Sequence, residues 1–262
     1  MKIANVSIKD VKFSVQAGFV AQHDRFWGKV NRGAWENDTF EAIDDHLDAQ
    51  TLAIDCGSWI GPTSLYMVQR AGLCLSFEPD PVAFKTFSSN CALNSDAAWF
   101  GRLKIFNEAV HSSGEPIQIS GFGGNSMTSA LNVNSESSWT VQTRRLQDIL
   151  GEYRGGFGKV FVKIDVEGGE YDILPSIADV MADKSVSFLI SFHHRRLKVA
   201  LAHKHGTPAL ASEELTATMN NVIKALPWDR SLRTLEGKVL ERDLVEKSAA
   251  GGSDFAENIL IE

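Results

Sequence analysis

Residues 52–61 read Leu-Ala-Ile-Asp-Cys-Gly-Ser-Trp-Ile-Gly and residues 75–81 read Leu-Ser-Phe-Glu-Pro-Asp-Pro. An apolar strand, a glycine turn and a second strand ending in an acid follow one another. In a doubly wound α/β sheet a nucleotide lies beyond the carboxyl ends of the strands, so the first turn must let backbone come close, and Gly57 and Gly61 supply that approach. A dinucleotide fingerprint would read G-x-G-x-x-G with the pyrophosphate on the helix N-terminus. Here the spacing is D-x-G-x-x-x-G, and Trp59 stands where the second glycine would be. An indole leaves little room for pyrophosphate. Glu78 follows at the end of the second strand, where a carboxylate accepts both ribose hydroxyl hydrogens.

Working outward, strands alternate with helices over most of the length. Residues 1–15 alternate polar and apolar, which predicts a short hairpin ahead of the main fold. Residues 38–49 read as a helix with Phe40, Ile43 and Leu47 on one face, capped by Asn37 or Asp38. Strand 51–55 leads to a helix whose first turn accommodates Pro62 and which ends at Gly72. Strand 73–78, helix 81–93 and strand 103–107 follow. Residues 115–145 read as short strands broken by the glycine-rich loop 121–126, and a brief helix covers 146–150. Val160-Phe161-Val162-Lys163-Ile164-Asp165 is a nearly continuous apolar run, as a central parallel strand buried on both faces requires. Helix 169–181, strand 186–192, the basic stretch 193–205, helix 211–225 and strands near 230–235, 238–241 and 257–261 complete the chain. The terminal run of strands predicts an antiparallel hairpin added to a parallel sheet. The expected organisation is a hairpin and helix extension over 1–50 and a Rossmann-like domain over 51–262.

Composition restricts the partners. At 262 residues, 44% of them hydrophobic, the chain can bury one large core. Its net charge of −7 argues against a nucleic-acid footprint, which normally shows as a basic face. Met1 to Val6 carries no apolar core of signal-peptide length and no long apolar run occurs, so the expectation is a cytoplasmic protein with no membrane partner. Cys56, Cys74 and Cys91 lack C-x-x-C spacing and sit in apolar segments, which reads as buried thiols rather than a zinc site or disulfides. A small-molecule partner remains, and self-association into a homo-oligomer stays open.

Asp55 through Gly61, Phe77-Glu78-Pro79-Asp80-Pro81, Asn90-Cys91-Ala92-Leu93-Asn94 and Lys163-Ile164-Asp165-Val166-Glu167-Gly168-Gly169-Glu170 together resemble the FkbM family of S-adenosylmethionine-dependent methyltransferases. The block 163–170 is the most specific part. The resemblance covers about residues 35–192, with Glu257 to Ile261 resembling the closing strand, and Trp59 is a departure from the family pattern. It implies a class I methyltransferase fold, a sheet of about seven strands with the last one antiparallel, and methylation of a hydroxyl on a sugar, polyketide or similar metabolite. Carried over residue by residue, it implies that Asp55, Gly57, Ser58 and Gly61 hold the amino-acid tail of the cofactor and Glu78 its ribose. Pro79 and Asp80 would flank the adenine, with Asn107, Glu108 and Ala109 near its exocyclic amine. S-adenosyl-L-homocysteine would be the product. The acid at 78 also suits an NAD-dependent oxidoreductase, and a non-catalytic S-adenosylmethionine-binding protein would keep the same pocket.

Asp165 ends a central strand where it would face the methyl donor, the methyl acceptor or a metal. Lys163, two residues earlier on the same face, needs a carboxylate partner, for which Asp165 and Glu167 are the candidates. Methyl transfer to a hydroxyl needs alignment and a base. His193 directly follows strand 187–192 and is the candidate base, with His194 the alternative. Asp165, Glu167 and His193 are compatible with a divalent metal such as magnesium, but no close-set ligand motif demands one. The stretch 193–205, with four of the seven histidines, reads either as a lid binding an anionic substrate or as a solvated face.

Overall fold

The computed structural model describes residues 2–18, 20–121, 123–124, 128–131, 137–250 and 256–262. It opens with the antiparallel hairpin of β1 (Lys2–Ile8) and β2 (Val11–Ala17), in which Val6, Ile8, Val11, Phe13 and Val15 alternate inward. Two helices follow, α1 (Ala21–Asn31) and α2 (Asn37–His46). The main α/β alternation then runs through β3 (Thr51–Cys56), α3 (Pro62–Met67), β4 (Leu73–Phe77), α4 (Pro81–Ala92) and β5 (Leu103–Phe106). Next come four short strands, β6 (Ala109–Val110), β7 (Ile117–Gly121), β8 (Ser137–Val141) and β9 (Thr143–Arg144), with β6 parallel to β9 and β7 antiparallel to β8. The second half contains α5 (Leu146–Tyr153), β10 (Lys159–Ile164), α6 (Glu170–Ser176), α7 (Ala178–Ala182), β11 (Val186–Ser191) and α8 (His194–His205). It closes with α9 (Pro208–Ala225), β12 (Leu232–Thr234), α10 (Arg242–Ala250) and β13 (Asn258–Ile261).

The central sheet has seven strands in the order β12-β13-β11-β10-β3-β4-β5. β3, β4, β5, β10 and β11 are parallel, and β13 runs antiparallel to both β11 and β12. The expected fold, a doubly wound sheet of seven strands with the last one antiparallel, is borne out. Chain order reverses between β3 and β10, where two adjacent parallel strands send their following helices to different places, and a crevice opens at their carboxyl ends. Register sets Lys163 beside Asp55 and Ile164 beside Cys56 there.

Alternation along the buried strands divides the core between the two faces of the sheet. Leu52, Ile54, Val160, Val162 and Ile164 pack with residues of α5, α6 and α9 on one side. Ala53, Phe161, Leu189 and Leu260 face the other side, in one apolar cluster with Val6, Phe13, Trp27, Phe40 and Ile43 of the first 50 residues. The hairpin is also tied to α4 and the turn after it: Ser14 and Gln16 donate their backbone N–H groups to Asn94 and Asn90, each at 2.8 Å, while the Asn90 amide donates to the Ile60 carbonyl at 2.9 Å.

Several expectations need correction. Residues 194–205 of the basic stretch form helix α8, whose apolar positions Leu197, Ala200 and Leu201 recur at helical spacing among the charges, and His193 is its cap residue. The helix expected over 169–181 breaks into α6 and α7 around Pro175, which has no N–H to continue the ladder. Residues 238–241 form only an isolated bridge from Val239 to Arg233, and the helix α10 separates β12 from β13. α1 has no counterpart among the expected elements. Part of the glycine-rich loop 121–126 lies outside the described residues. All three cysteines are buried free thiols, as expected. No helix among the described residues is long and apolar enough to cross a membrane.

Candidate active site

A cavity of about 690 Å³ opens over the carboxyl ends of β3, β4 and β10. Of the residues chosen from the sequence, Gly57, Ser58, Glu78, Pro79, Ala109, Asp165 and His193 line it, and Asp55, Gly61, Asp80, Asn107 and Glu108 do not. In the second group Asp55 and Asp80 are buried, whereas Asn107 is exposed and Glu108 half-buried. Asp55 is fully buried on β3, where its Oδ2 accepts hydrogen bonds from Thr63 Oγ1 (2.7 Å) and Ser64 Oγ (2.6 Å) at the start of α3. Burial raises its carboxyl above the usual range against the pull of Lys163. Asp80 caps α4 by accepting from the Val82 and Ala83 backbone, and its other oxygen accepts from Gly124 N–H (2.8 Å) and Thr128 Oγ1 (2.6 Å). Asn107 donates to the Glu78 and Pro79 carbonyls and braces that turn. Glu108 faces Arg144 at 3.9 Å.

Both turn glycines have their first explanation in chain packing. A Cβ on Gly57, whose φ is +89°, would lie 1.9 Å from the Asp165 carbonyl oxygen, so the turns after β3 and β10 close on each other only without a side chain there. A Cβ on Gly61 would lie 2.3 Å from the Phe87 ring.

Glu78 sits at the end of β4, 6% exposed. Its Oε2 accepts from the Trp59 N–H and its Oε1 from the Asp80 N–H, both at 2.7 Å. Each oxygen keeps a lone pair for a further donor from the cavity. Burial pushes this carboxyl up to about 8, against the two backbone donors that favour its ionised form. Trp59 reaches its N–H across to Glu78 through a left-handed backbone, φ +48°. Its indole packs edge-on against His23 and Phe26 and donates to the Gly124 carbonyl at 3.0 Å.

Opposite Glu78 lies a charged cluster. Lys163, 3% exposed, donates to Asp165 Oδ2 at 2.7 Å. Burial works against the Lys163 charge, yet Asp165, Asp55 and Glu36 more than reverse that and keep it protonated. Burial would likewise raise Asp165, but Lys163 and then His193 hold it below the usual carboxylate range. His193 Nε2 stands 3.2 Å from Glu167 Oε2 and 3.5 Å from Asp165 Oδ1, while its Nδ1 stands 3.2 Å from Glu170 Oε1. Burial opposes the imidazolium, and Glu170, Glu167 and Asp165 outweigh it, raising His193 to about 9. Glu170, fully buried, also accepts from the His193 N–H (2.6 Å) and the Gly168 N–H (2.8 Å). Its place in the first turn of α6 is therefore more than a favourable helix-dipole position. Arg196 on α8 pairs with Glu167. Beyond His193 the basic stretch turns away from the cavity, and Lys204 and His205 pair with Glu214 on α9. His194 is buried, with its Nδ1 at 2.9 Å from the Tyr171 hydroxyl, and does not line the cavity. Among the described residues no group of three or more His, Cys, Asp or Glu side chains is arranged to hold a metal ion.

The methyltransferase FkbM domain model matches residues 55–211, from the last two residues of β3 through β11 and into the start of α9. The chain belongs to the FkbM methyltransferase family. The resemblance drawn from the motifs at 55–61, 77–81, 90–94 and 163–170 is thereby borne out. Methyltransferase sdnD of Sordaria araneosa is 28% identical over 172 residues, covering 50% of this chain and 62% of its own length. Methyltransferase 1 of Beauveria bassiana (strain ARSEF 2860) is 28% identical over 148 residues, covering 49% of this chain and 59% of its own. The chain thus spans about three-fifths of the length of these curated relatives. A crystal structure of methyltransferase FkbM from Methylobacillus flagellatus KT aligns over 83% of this chain and 43% of its own at 16% identity, with a TM-score of 0.46.

The FkbM match begins at residue 55, yet part of the cavity surface comes from earlier in the chain. Gln22, Arg25, Phe26 and Lys29 of α1 line it together with Trp35 and Glu36. None was singled out from the sequence. Among the described residues four non-glycine positions have positive φ, and three of them, Glu36, Trp59 and Glu167, line the cavity. Such backbone costs on the order of 1–2 kcal/mol per residue and gathers where surrounding structure fixes a site. The sequence signal for α1 is faint: its cap residue is Val20, Gly28 interrupts it, and its charges obscure the buried set His23, Trp27 and Val30.

Proposed function

We propose that the protein is an S-adenosylmethionine-dependent methyltransferase acting on a hydroxyl oxygen of a small metabolite. The observation that carries this reading is the opposition, across one cavity, of the Glu78 carboxylate and the Asp165–His193 cluster. The residues present fit the cofactor. Glu78 has spare lone pairs for a ribose diol, and Glu78, Asp165 and Glu167 make an acidic floor suited to a sulfonium rather than a pyrophosphate. A cavity of this volume lies within the range of about 300–1,000 Å³ common for small-molecule sites.

When bound, S-adenosylmethionine supplies an electrophilic methyl group and departs as S-adenosylhomocysteine. The chain's own residues supply the rest. Glu78 holds the ribose, Gly57 and Ser58 bring backbone against the ligand, and Pro79 and Ala109 border its base. Asp165, kept ionised by Lys163, stands 3.5 Å from His193 Nε2 and stabilises the imidazolium that forms there. His193 takes the proton through Nε2, and Glu170 fixes the ring through Nδ1. Alignment of the hydroxyl in line with the methyl group is the main contribution asked of the site.

Calorimetry of the full chain with S-adenosylhomocysteine and with NAD tests the reading. Binding of S-adenosylhomocysteine is expected, with Glu78→Ala weakening it by about 1.5–3 kcal/mol, the range for hydrogen bonds to a charged group. Only the ionised carboxylate accepts from both ribose hydroxyls, so affinity rises as pH increases through about 8. Binding of NAD without S-adenosylhomocysteine would overturn the reading.

A further inference from the structure

α1 presents Gln22, Arg25, Phe26 and Lys29 to the cavity, at i, i+3, i+4 and i+7 along one stripe, while His23, Trp27 and Val30 on the adjoining face are buried. Arg25 and Lys29 are exposed at the rim, and neither forms a hydrogen bond or ion pair with any described residue. The neighbouring acid, Asp24, lies on the far side of the helix and accepts from the Gly18 N–H at 2.9 and 3.1 Å. Like charges at i, i+4 weaken a helix. Lys29 has a partial structural account in the last turn, where a cation suits the helix dipole, but Arg25 has none. On α8, by contrast, Arg196, Lys204 and His205 have carboxylate partners.

On the floor of the cavity the cations Lys163 and His193 are paired with Asp165, Glu167 and Glu170, whereas at its rim Arg25 and Lys29 have no carboxylate partner among the described residues. Between them stand aromatic rings: Phe26 packs edge-on against Trp35 at 4.9 Å and Trp59 at 4.6 Å. A neutral sugar would leave the two cations without a function. We propose that α1 recognises the methyl acceptor, and that the acceptor carries an oxyanion held by Arg25 and Lys29 on an apolar or aromatic body packed against Phe26 and Trp35. The Arg25 fork suits the bidentate geometry of a carboxylate or phosphate, and Lys29 adds a point charge one turn away. This assignment rests on the methyl-transfer reading of the cavity.

The test uses the full chain saturated with S-adenosylhomocysteine and matched pairs of hydroxylated probes: 4-hydroxybenzoate with its methyl ester, 4-hydroxyphenyl phosphate with hydroquinone, and glucose 6-phosphate with glucose. Binding is followed by calorimetry. In at least one pair the anion is expected to bind about tenfold or more tightly than its neutral partner, the order of a charge-assisted hydrogen-bond pair, and to weaken with added salt. The pair that responds distinguishes carboxylate from phosphate. Arg25→Gln with Lys29→Gln should abolish the difference and leave S-adenosylhomocysteine affinity as it was. Equal binding within every pair, including no binding of either member, overturns the proposal, as does a preference that survives the double substitution. If the wild-type chain fails to bind S-adenosylhomocysteine, the methyl-transfer reading itself falls, and this proposal with it.

Discussion

His193 illustrates how one side chain's chemistry is set by its neighbours. With three carboxylates around it, its pKa of about 9 lies well above the ordinary value of about 6.5. Most of the imidazole is therefore protonated at neutral pH. A base must be unprotonated to act, so kcat/KM should rise with pH through about 9 rather than level off near 6.5. The stability linkage has the opposite sign: the charged ring's contribution is complete below about 6.5 and is lost as pH rises through about 9. Glu170 is the largest single source of the upward shift. Replacing it by Gln removes that charge but keeps an acceptor for the His193 N–H. An NMR titration of the His193 ring should then show its midpoint falling from about 9 toward 6.5. A midpoint that stays put would mean that Glu170 serves only as a backbone brace.

At the scale of elements, Asn90 of α4 and Asn94 in the turn after it hold the N-terminal hairpin. Asn90 is fully buried, accepts from the Gln16 N–H and donates to the Ile60 carbonyl. Asn90→Ala leaves both backbone groups unpaired, and each buried orphan costs about 1–3 kcal/mol. The denaturant midpoint should drop accordingly, while exposed Ser88→Ala on the same helix leaves stability within about 0.5 kcal/mol. The motif Asn90 to Asn94 was legible as a family mark, but its physical task was not, because the partner strand lies more than 70 residues earlier in the chain. The sheet was legible for the opposite reason. Runs such as 52–54 and 160–162 are apolar throughout, as a strand buried on both faces requires. Glu78, Asp165 and His193 could be found because strand ends announce themselves in an α/β sequence. Asp55, Asp80, Asn107 and Glu108 carry the same local signature, yet they do not line the cavity. Nothing in a local pattern distinguishes a side chain facing a ligand from one capping a helix or bracing a turn. α1 escaped detection because its stability comes from tertiary packing of Trp27 and Val30, with neither a side-chain cap nor a clean apolar stripe to reveal it.

For the whole molecule, the question is whether the first 50 residues are an accessory or part of the machine. Val6, Phe13, Trp27, Phe40 and Ile43 share one apolar cluster with Ala53, Phe161, Leu189 and Leu260 of the central sheet. Without them, one face of β3, β10, β11 and β13 would meet water. The loss of a single buried Phe or Trp costs about 3–5 kcal/mol, and a domain's whole stability is about 5–15 kcal/mol. We therefore propose that residues 1–50, although they precede the Rossmann-like domain in sequence, cover its sheet and complete its cavity. A chain of residues 51–262 should show no cooperative thermal transition, and supplying residues 1–50 as a separate polypeptide should restore one together with S-adenosylhomocysteine binding. If 51–262 alone unfolds cooperatively at the temperature of the full chain, the N-terminal segment is a detachable extension. The acceptor-recognition role assigned to α1 could then be tested on the isolated domain, which would bind S-adenosylhomocysteine and lose discrimination between anionic and neutral probes.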